Sequence, residues 1–159
     1  MKPLGVSSEY LAKLAMDCLD IQPEILPCDI FRSQAVLTNN KSFIINIQIS
    51  NLPGSHFVGV LIKRNKILYF DSLAFPLINS YIETKLEALK KPIYYCTKPI
   101  QGANSVFCGL YCLCFLIICQ KRKKNFEEFL KMFSFGSPGS YIKNEKKCTE
   151  IIKSNLTVS

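Results

Sequence analysis

A cysteine placed where a polar loop becomes an apolar helix can act as a nucleophile. The segment Gln101-Gly102-Ala103-Asn104-Ser105-Val106-Phe107-Cys108-Gly109 puts Cys108 at such a point, with Gln101 seven residues ahead of it. A free thiol has a pKa near 8.5, and a helix N-terminus or a nearby imidazolium lowers it by roughly one to several units. Cys108 at the start of a helix would face the positive end of the dipole. Attack by a thiolate on a carbonyl puts negative charge on the carbonyl oxygen. A side-chain amide beside the nucleophile's own N–H can hold that charge, worth about 3 kcal/mol per donor. The Gly102–Phe107 loop is long enough to bring Gln101 back beside Cys108, and Gly109 would let a substrate backbone come close. The plainer alternatives are a small core cysteine and an exposed loop glutamine.

The chain has one histidine, His56, so any imidazole base for Cys108 must be that residue. His56 follows Pro53-Gly54-Ser55 and opens an apolar stretch. Suppose Phe57–Ile62 and Ile67–Phe70 form a hairpin whose loop has two or four residues and is centred between Arg64 and Asn65. Asp71 then lies opposite Val58, and His56 is two residues further on the same face. Such diagonal neighbours are about 7–8 Å apart at the backbone, within side-chain reach. A carboxylate there would orient the imidazole and favour its charged form. An odd loop would turn His56 to the other face. Otherwise His56 is a structural or solvated histidine, and Asp71 forms a turn with Ser72.

These residues need elements to carry them. Ser7 or Ser8 can cap a first helix with Glu9 in its first turn, followed by Leu11, Leu14, Ala15, Cys18 and Leu19 at helical spacing. Gln22–Arg32 holds Pro23 and Pro27 and reads as loop. Phe43–Ile49 reads as a strand, and Asn51-Leu52-Pro53-Gly54-Ser55 as a turn. Phe57–Ile62 and Ile67–Phe70 are apolar on both faces, as central strands are. Ile78–Leu89 has helical periodicity, and Ile93–Cys96 reads as a short strand. Val106–Cys119 is apolar for 14 residues and stops at Gln120-Lys121-Arg122-Lys123-Lys124. A membrane span needs about 20 such residues; an all-apolar helix this short is a buried central helix. Asn125 and Glu128 form a capping box for a helix bearing Phe126, Phe129, Leu130 and Phe133. Gly136–Gly139 breaks the chain, and a last helix is expected from about Asn144 to Ser154.

With 159 residues, no repeat and no linker, the chain reads as one domain over 1–159. A chain of this length buries about two thirds of its surface on folding. Hydrophobic residues make up 48% and charged residues 20%, which excludes a disordered polymer. The net charge of +8 favours anionic partners such as nucleic acid, although a merely soluble basic surface explains it as well. Of eight cysteines, Cys108, Cys112, Cys114 and Cys119 crowd into one helix and cannot all pair. With no signal peptide, an intracellular, non-secreted protein with reduced thiols is expected. No metal site is expected: there is no Cys-x-x-Cys pair, and the single histidine is far from the cysteine cluster in sequence.

Gln101–Cys112 resembles the active-site segment of the adenovirus protease family (adenain). Gly54-Ser55-His56-Phe57-Val58-Gly59-Val60 and Tyr69-Phe70-Asp71-Ser72 resemble its histidine and acidic segments. Ser7-Ser8-Glu9 and Leu26-Pro27-Cys28-Asp29 also fit adenain-like proteins of viruses and virus-like transposons. The resemblance spans about residues 5–120. It implies an α+β, papain-like fold, with a mixed sheet packed against a central helix that starts at the nucleophile. It implies a cysteine endopeptidase with Cys108 as nucleophile, His56 as base, Asp71 as orienting acid and Gln101 in the oxyanion hole. The implied substrates are viral precursor proteins, the implied location is host cytoplasm, nucleus or virion, and the implied state is a monomer without membrane contact.

The chain also departs from the family. Phe57 stands where a tryptophan is common, and Asp71 where adenovirus itself has glutamate. The adenovirus enzyme is stimulated by DNA and by a peptide disulfide-linked to a cysteine upstream of the glutamine; Cys96 is the only cysteine in a comparable place. No chemical cofactor is implied. DNA would suit the run Lys121–Lys124, which serves equally as a solvated helix C-terminus. Two other functions fit the same residues. One is an isopeptidase acting on ubiquitin- or SUMO-like modifiers. The other is a non-enzymatic basic virion or nucleic-acid-binding protein on a protease scaffold.

Overall fold

The computed structural model describes residues 6–52, 56–102 and 105–156. The fold is α+β, built on a five-stranded mixed sheet. Helix α1 (Ser8–Cys18) is capped by the Ser7 hydroxyl, which accepts the Tyr10 N–H. Strand β1 (Glu24–Pro27) runs directly into a short helix α2 (Cys28–Arg32). Strands β2 (Ser42–Asn46), β3 (Phe57–Ile62) and β4 (Ile67–Phe70) follow. Helix α3 (Ser80–Glu87), capped by Asn79, leads to β5 (Ile93–Tyr95). Helix α4 (Cys108–Leu116) continues into a π-helical turn at Ile117–Lys121. Helices α5 (Phe126–Leu130) and α6 (Pro138–Asn155) close the chain.

The strands lie in the order β1-β2-β3-β4-β5. The two outer pairs are parallel, and β2–β3 and β3–β4 are antiparallel. Alternate residues serve opposite faces, as the pleat requires. On one face Ile44, Phe57, Leu61, Leu68 and Phe70 pack under α4. On the other Phe43, Ile45, Val58, Val60 and Tyr69 pack under α2 and α3, against Phe31 and Ile82. This two-sided burial explains the unbroken apolar runs of β3 and β4. It also explains why α4 is apolar all round: the sheet covers one side, and α1 and α6 cover others.

Most elements lie where the pattern put them, including the Asn125–Glu128 capping box. Three differ. Of Gln22–Arg32 only Gln22 and Pro23 are loop, and the rest forms β1 and α2. Pro27 is the last residue of edge strand β1 and the N-cap of α2, so neither proline interrupts a hydrogen-bonded interior. Strand β2 ends at Asn46, whose side chain turns back to accept the Gln48 N–H at 2.9 Å. Helix α6 begins at Pro138 instead of near Asn144, because Ser137 caps it and a proline is favourable at the first helical position. Of the expected turn 51–55, Pro53, Gly54 and Ser55 lie outside the described residues, as do Ala103 and Asn104 of the glutamine loop.

Gly59 of β3 lets α4 lie close. A Cβ there would stand 2.9 Å from Cδ2 of Phe115. That ring is itself held by Phe70 at 5.3 Å, Phe126 at 5.6 Å and Phe129 at 5.8 Å between centroids. Gly59→Ala should therefore cost about 1–3 kcal/mol of overpacking, seen as a drop in Tm of roughly 2–10 °C by calorimetry. An unchanged Tm would mean that the aromatic cluster yields freely.

Candidate active site

Cys108 is the first residue of α4. Its N-cap, Phe107, offers no side-chain cap, and the first turn holds no acidic residue. The positive end of the helix is thus left unneutralised at the thiol. Burial works to raise the Cys108 pKa. It is outweighed by a hydrogen bond from His56, by the Phe57 and Gly109 main-chain N–H groups, and by the charge of His56, so the thiol is held below its ordinary value. The other thiols with a resolved shift, Cys18, Cys96, Cys112, Cys114 and Cys119, are all raised, chiefly by burial.

His56 is buried, at 8% exposure. Its carbonyl accepts the Ile47 N–H at 3.0 Å, which extends the β2–β3 ladder past the strand ends. Its Nε2 lies 2.8 Å from Oδ1 of Asp71. Nδ1 is then the ring nitrogen left for the hydrogen bond to Cys108. Burial alone would lower the imidazole pKa, but the bonds to Asp71 and Cys108 reverse this and raise it to about 9.

Asp71 comes to His56 through strand register. The β3–β4 ladder pairs Ile62 with Ile67 and Gly59 with Phe70. Its connection is the four-residue segment Lys63–Lys66, closed by the Lys63 N–H donating to the Lys66 carbonyl at 2.9 Å. The loop is even, so Asp71 falls one step beyond Phe70, opposite Val58. Asp71 Oδ1 also accepts the Leu73 N–H at 2.9 Å, which turns the chain after β4 and fixes the carboxylate.

Gln101 is brought to the same end of the sheet. Its main-chain N–H donates to the Ser72 carbonyl at 3.1 Å, and its Nε2 donates to the Ser105 carbonyl at 3.0 Å. The side chain is 3% exposed. Helix α6 supports this loop through two residues that sequence patterns did not single out. Asn144, 2% exposed, donates to the carbonyls of Ile100 at 2.9 Å and Ser134 at 2.7 Å. Glu145 accepts the Ser105 hydroxyl at 2.8 Å. Both lie on α6 (Pro138–Asn155), and nothing local in the sequence marks their partners in the glutamine loop, Ile100 and Ser105, which are 44 and 40 residues away.

Two expectations change. Gly109 does not face a substrate: a Cβ there would meet Leu11 Cδ1 at 2.7 Å and Phe57 at 3.3 Å, so the glycine serves close packing of α1 and β3 on α4. Cys96 is 5% exposed, its thiol donates to the Lys98 carbonyl at 3.2 Å, and burial pushes its pKa to about 11. In this state it is a poor partner for a disulfide to a peptide. Lys121 of the basic run donates to the Cys18 carbonyl at 2.7 Å, at the end of α1, and Lys124 lies 3.9 Å from Glu128. Among the described residues, no group of three or more His, Cys, Asp or Glu side chains could hold a metal ion, and no helix is long and apolar enough to cross a membrane.

No protein-family model and no curated protein matches this sequence. Among solved structures, the chain is similar to ChlaDub1 from Chlamydia trachomatis, at 15% identity and a TM-score of 0.45, over 71% of this chain and 60% of that one. It is also similar to AvrA delL154 with IP6 and CoA, at 15% identity and a TM-score of 0.41, over 82% of this chain and 62% of that one. The chain thus spans about three fifths of the length of each. At this level neither assigns a role to any residue here.

The shifted pKa values set a pH window. The Cys108 thiolate forms below the ordinary thiol range, and the His56 imidazolium persists up to about 9. Alkylation of Cys108 by iodoacetamide should rise with pH through a midpoint below that of a free thiol. His56 is more basic folded (about 9) than unfolded (6.5), so its contribution to stability is fully present below pH 6.5 and is lost as pH rises through about 9. Denaturant titrations from pH 6 to 10 should show this loss in the parent chain and not in His56→Ala. An alkylation midpoint at or above the free-thiol value would contradict the ion pair.

Proposed function

We propose that this chain is a cysteine-type peptidase. The observation that carries the reading is the His56 imidazole, bonded on one nitrogen to Asp71 and on the other side to the thiol of Cys108 at an uncapped helix start. A nucleophile, its base and the group that orients the base form the constellation of covalent acyl-transfer catalysis.

The Cys108 thiolate attacks the scissile carbonyl carbon, and the carbonyl π electrons move onto oxygen. That oxyanion is met by the Cys108 N–H and by Gln101 Nε2, which has a second proton beyond the one given to Ser105. As the C–N bond breaks, the His56 imidazolium gives its proton to the leaving amine, leaving a thioester on Cys108 and a neutral imidazole. His56 then takes a proton from water, whose oxygen attacks the thioester and releases the acid and the thiolate. Asp71 keeps the ring oriented and stabilises its charged form throughout.

A peptidase acting on viral precursor proteins is the substrate reading that the adenain resemblance supports, together with an intracellular or virion setting and stimulation by DNA. The same chemistry would cleave an isopeptide bond. Glycine-containing fluorogenic peptides assayed beside ubiquitin and SUMO conjugates separate the two substrates.

Cys108→Ala and His56→Ala should each abolish turnover. Cys108→Ala should leave Tm nearly unchanged. His56→Ala should lower it, because Asp71, 4% exposed, would lose its buried partner. Gln101→Ala should lower turnover roughly 10²-fold or more while sparing thiol alkylation. Retention of most activity by His56→Ala would refute the mechanism, since the chain has no other imidazole. Failure of Cys108 to react with a peptide vinyl sulfone in the folded protein would favour a non-enzymatic scaffold.

A further inference from the structure

An oxyanion hole that uses a glutamine depends on which end of the amide faces the substrate. Nitrogen donates and stabilises; oxygen would repel. In Gln101 the choice is dictated by neighbours. The Ser105 main-chain carbonyl can only accept, so the amide end that touches it, at 3.0 Å, must be Nε2. Oε1 then faces the Ser72 hydroxyl, which donates to it. Ser72 is fully buried, at 0% exposure. Its carbonyl also accepts the N–H groups of Ile100 at 2.9 Å and Gln101 at 3.1 Å, so it holds both the main chain and the side chain of the glutamine.

We propose that Ser72 is a positioning residue of the acyl-transfer site: its hydroxyl clamps Gln101 Oε1 and so keeps an Nε2 proton available to the substrate oxygen. This rests on the peptidase reading above. Ser72 itself would touch no reacting atom. It follows Asp71 directly, so one turn at the end of β4 orients the base through the carboxylate and the oxyanion donor through the hydroxyl. With the hydroxyl gone, Oε1 would be buried with no donor in its place. The amide would then gain by rotating toward other partners, at the expense of the donor geometry.

The test separates acylation, which develops an oxyanion, from alkylation, which does not. Cys108 acylation by a p-nitrophenyl ester and its alkylation by iodoacetamide would be measured in the parent chain, Ser72→Ala, Gln101→Ala and the double variant. Ser72→Ala should slow acylation about tenfold or more, leave the alkylation rate and its pH midpoint unchanged, and add nothing further in the Gln101→Ala background. Equal acylation in Ser72→Ala, or an equal loss in the presence and absence of Gln101, overturns the proposal while leaving Cys108 and His56 in their roles. Should Ser72→Ala fail to fold, Ser72→Thr, which keeps the hydroxyl, decides. Acylation within about threefold of the parent, falling to the Gln101→Ala level when that change is added, supports the clamp; a tenfold deficit of the same size with and without Gln101 overturns it. If Cys108 of the parent is acylated no faster than a free thiol, the peptidase reading itself falls, and the clamp with it.

Discussion

The even length of the Lys63–Lys66 connection ties His56 to Asp71, and the site depends on that tie. One residue more or less would move Asp71 to the opposite face of β4. The tie matters because His56 is buried, and burial by itself would strip its charge. Hydrogen bonds and charge from Asp71 and Cys108 together outweigh burial and keep the ring protonated into the alkaline range. The three groups therefore form one electrostatic unit, in which each lone member would be an uncompensated charge in a low-dielectric setting. The same unit sets Cys108 apart from the other thiols of its helix. Cys112 and Cys114 lie one and two turns further into α4, fully buried, and their thiols are pushed well above the ordinary value. Cys108 differs from them in lying at the helix start, where an imidazolium and two main-chain N–H groups reach its sulfur.

Close packing supplies the second constraint. For Phe57 N–H to reach the Cys108 sulfur, the starts of β3 and α4 must nearly touch. Gly109 allows this, since Leu11 and Phe57 occupy the space a side chain would need. Deeper in, Gly59 plays the same part against Phe115. Helix α4 is thus set down on the sheet at two glycine contacts, one beside the thiol and one in the middle of the core. Core packing and the placement of Cys108 are consequently the same fact viewed at two depths.

Local rules carried the sequence reading where they act locally. Ser7 and Asn125 cap helices because an oxygen three residues before an N–H is a short-range matter. The hairpin parity was readable because it needs only the two strand ends and the turn between them. The strand Glu24–Pro27 was hidden because Pro23 just before it and Pro27 at its end mimic loop chemistry, while its position at the sheet edge makes them harmless. The start of α6 was hidden behind Gly136 and Gly139, although Ser137 and Pro138 are a start signal between them. The parts of the site held by Ser72, Asn144 and Glu145 could not be read at all. Their partners are set by tertiary proximity, and a serine after an aspartate, or an asparagine in a polar helix, carries no distinctive pattern.

Those unread residues show where the glutamine loop gets its shape. Within the described part of Gln101–Phe107, the only apolar side chains are Val106 and Phe107, both half-buried, so apolar packing alone anchors the loop weakly. Polar links hold it from outside: Gln101 to Ser72 at the end of β4, Ser105 to Glu145 on α6, and Ile100, just before the loop, to Asn144 on α6. Helix α6 is in turn fixed to α4 through the apolar contacts of Cys148, Ile151 and Ile152. The loop that carries Gln101 is therefore suspended between the sheet that holds His56 and the helix that packs on α4, where Cys108 lies. A shift of α6 along α4 would pull on Ile100 and Ser105 together and move Gln101 relative to Cys108. The adenain resemblance ends near residue 120, yet the geometry around Gln101 is completed by residues after 137, so the C-terminal helix belongs to the candidate site and not only to the scaffold.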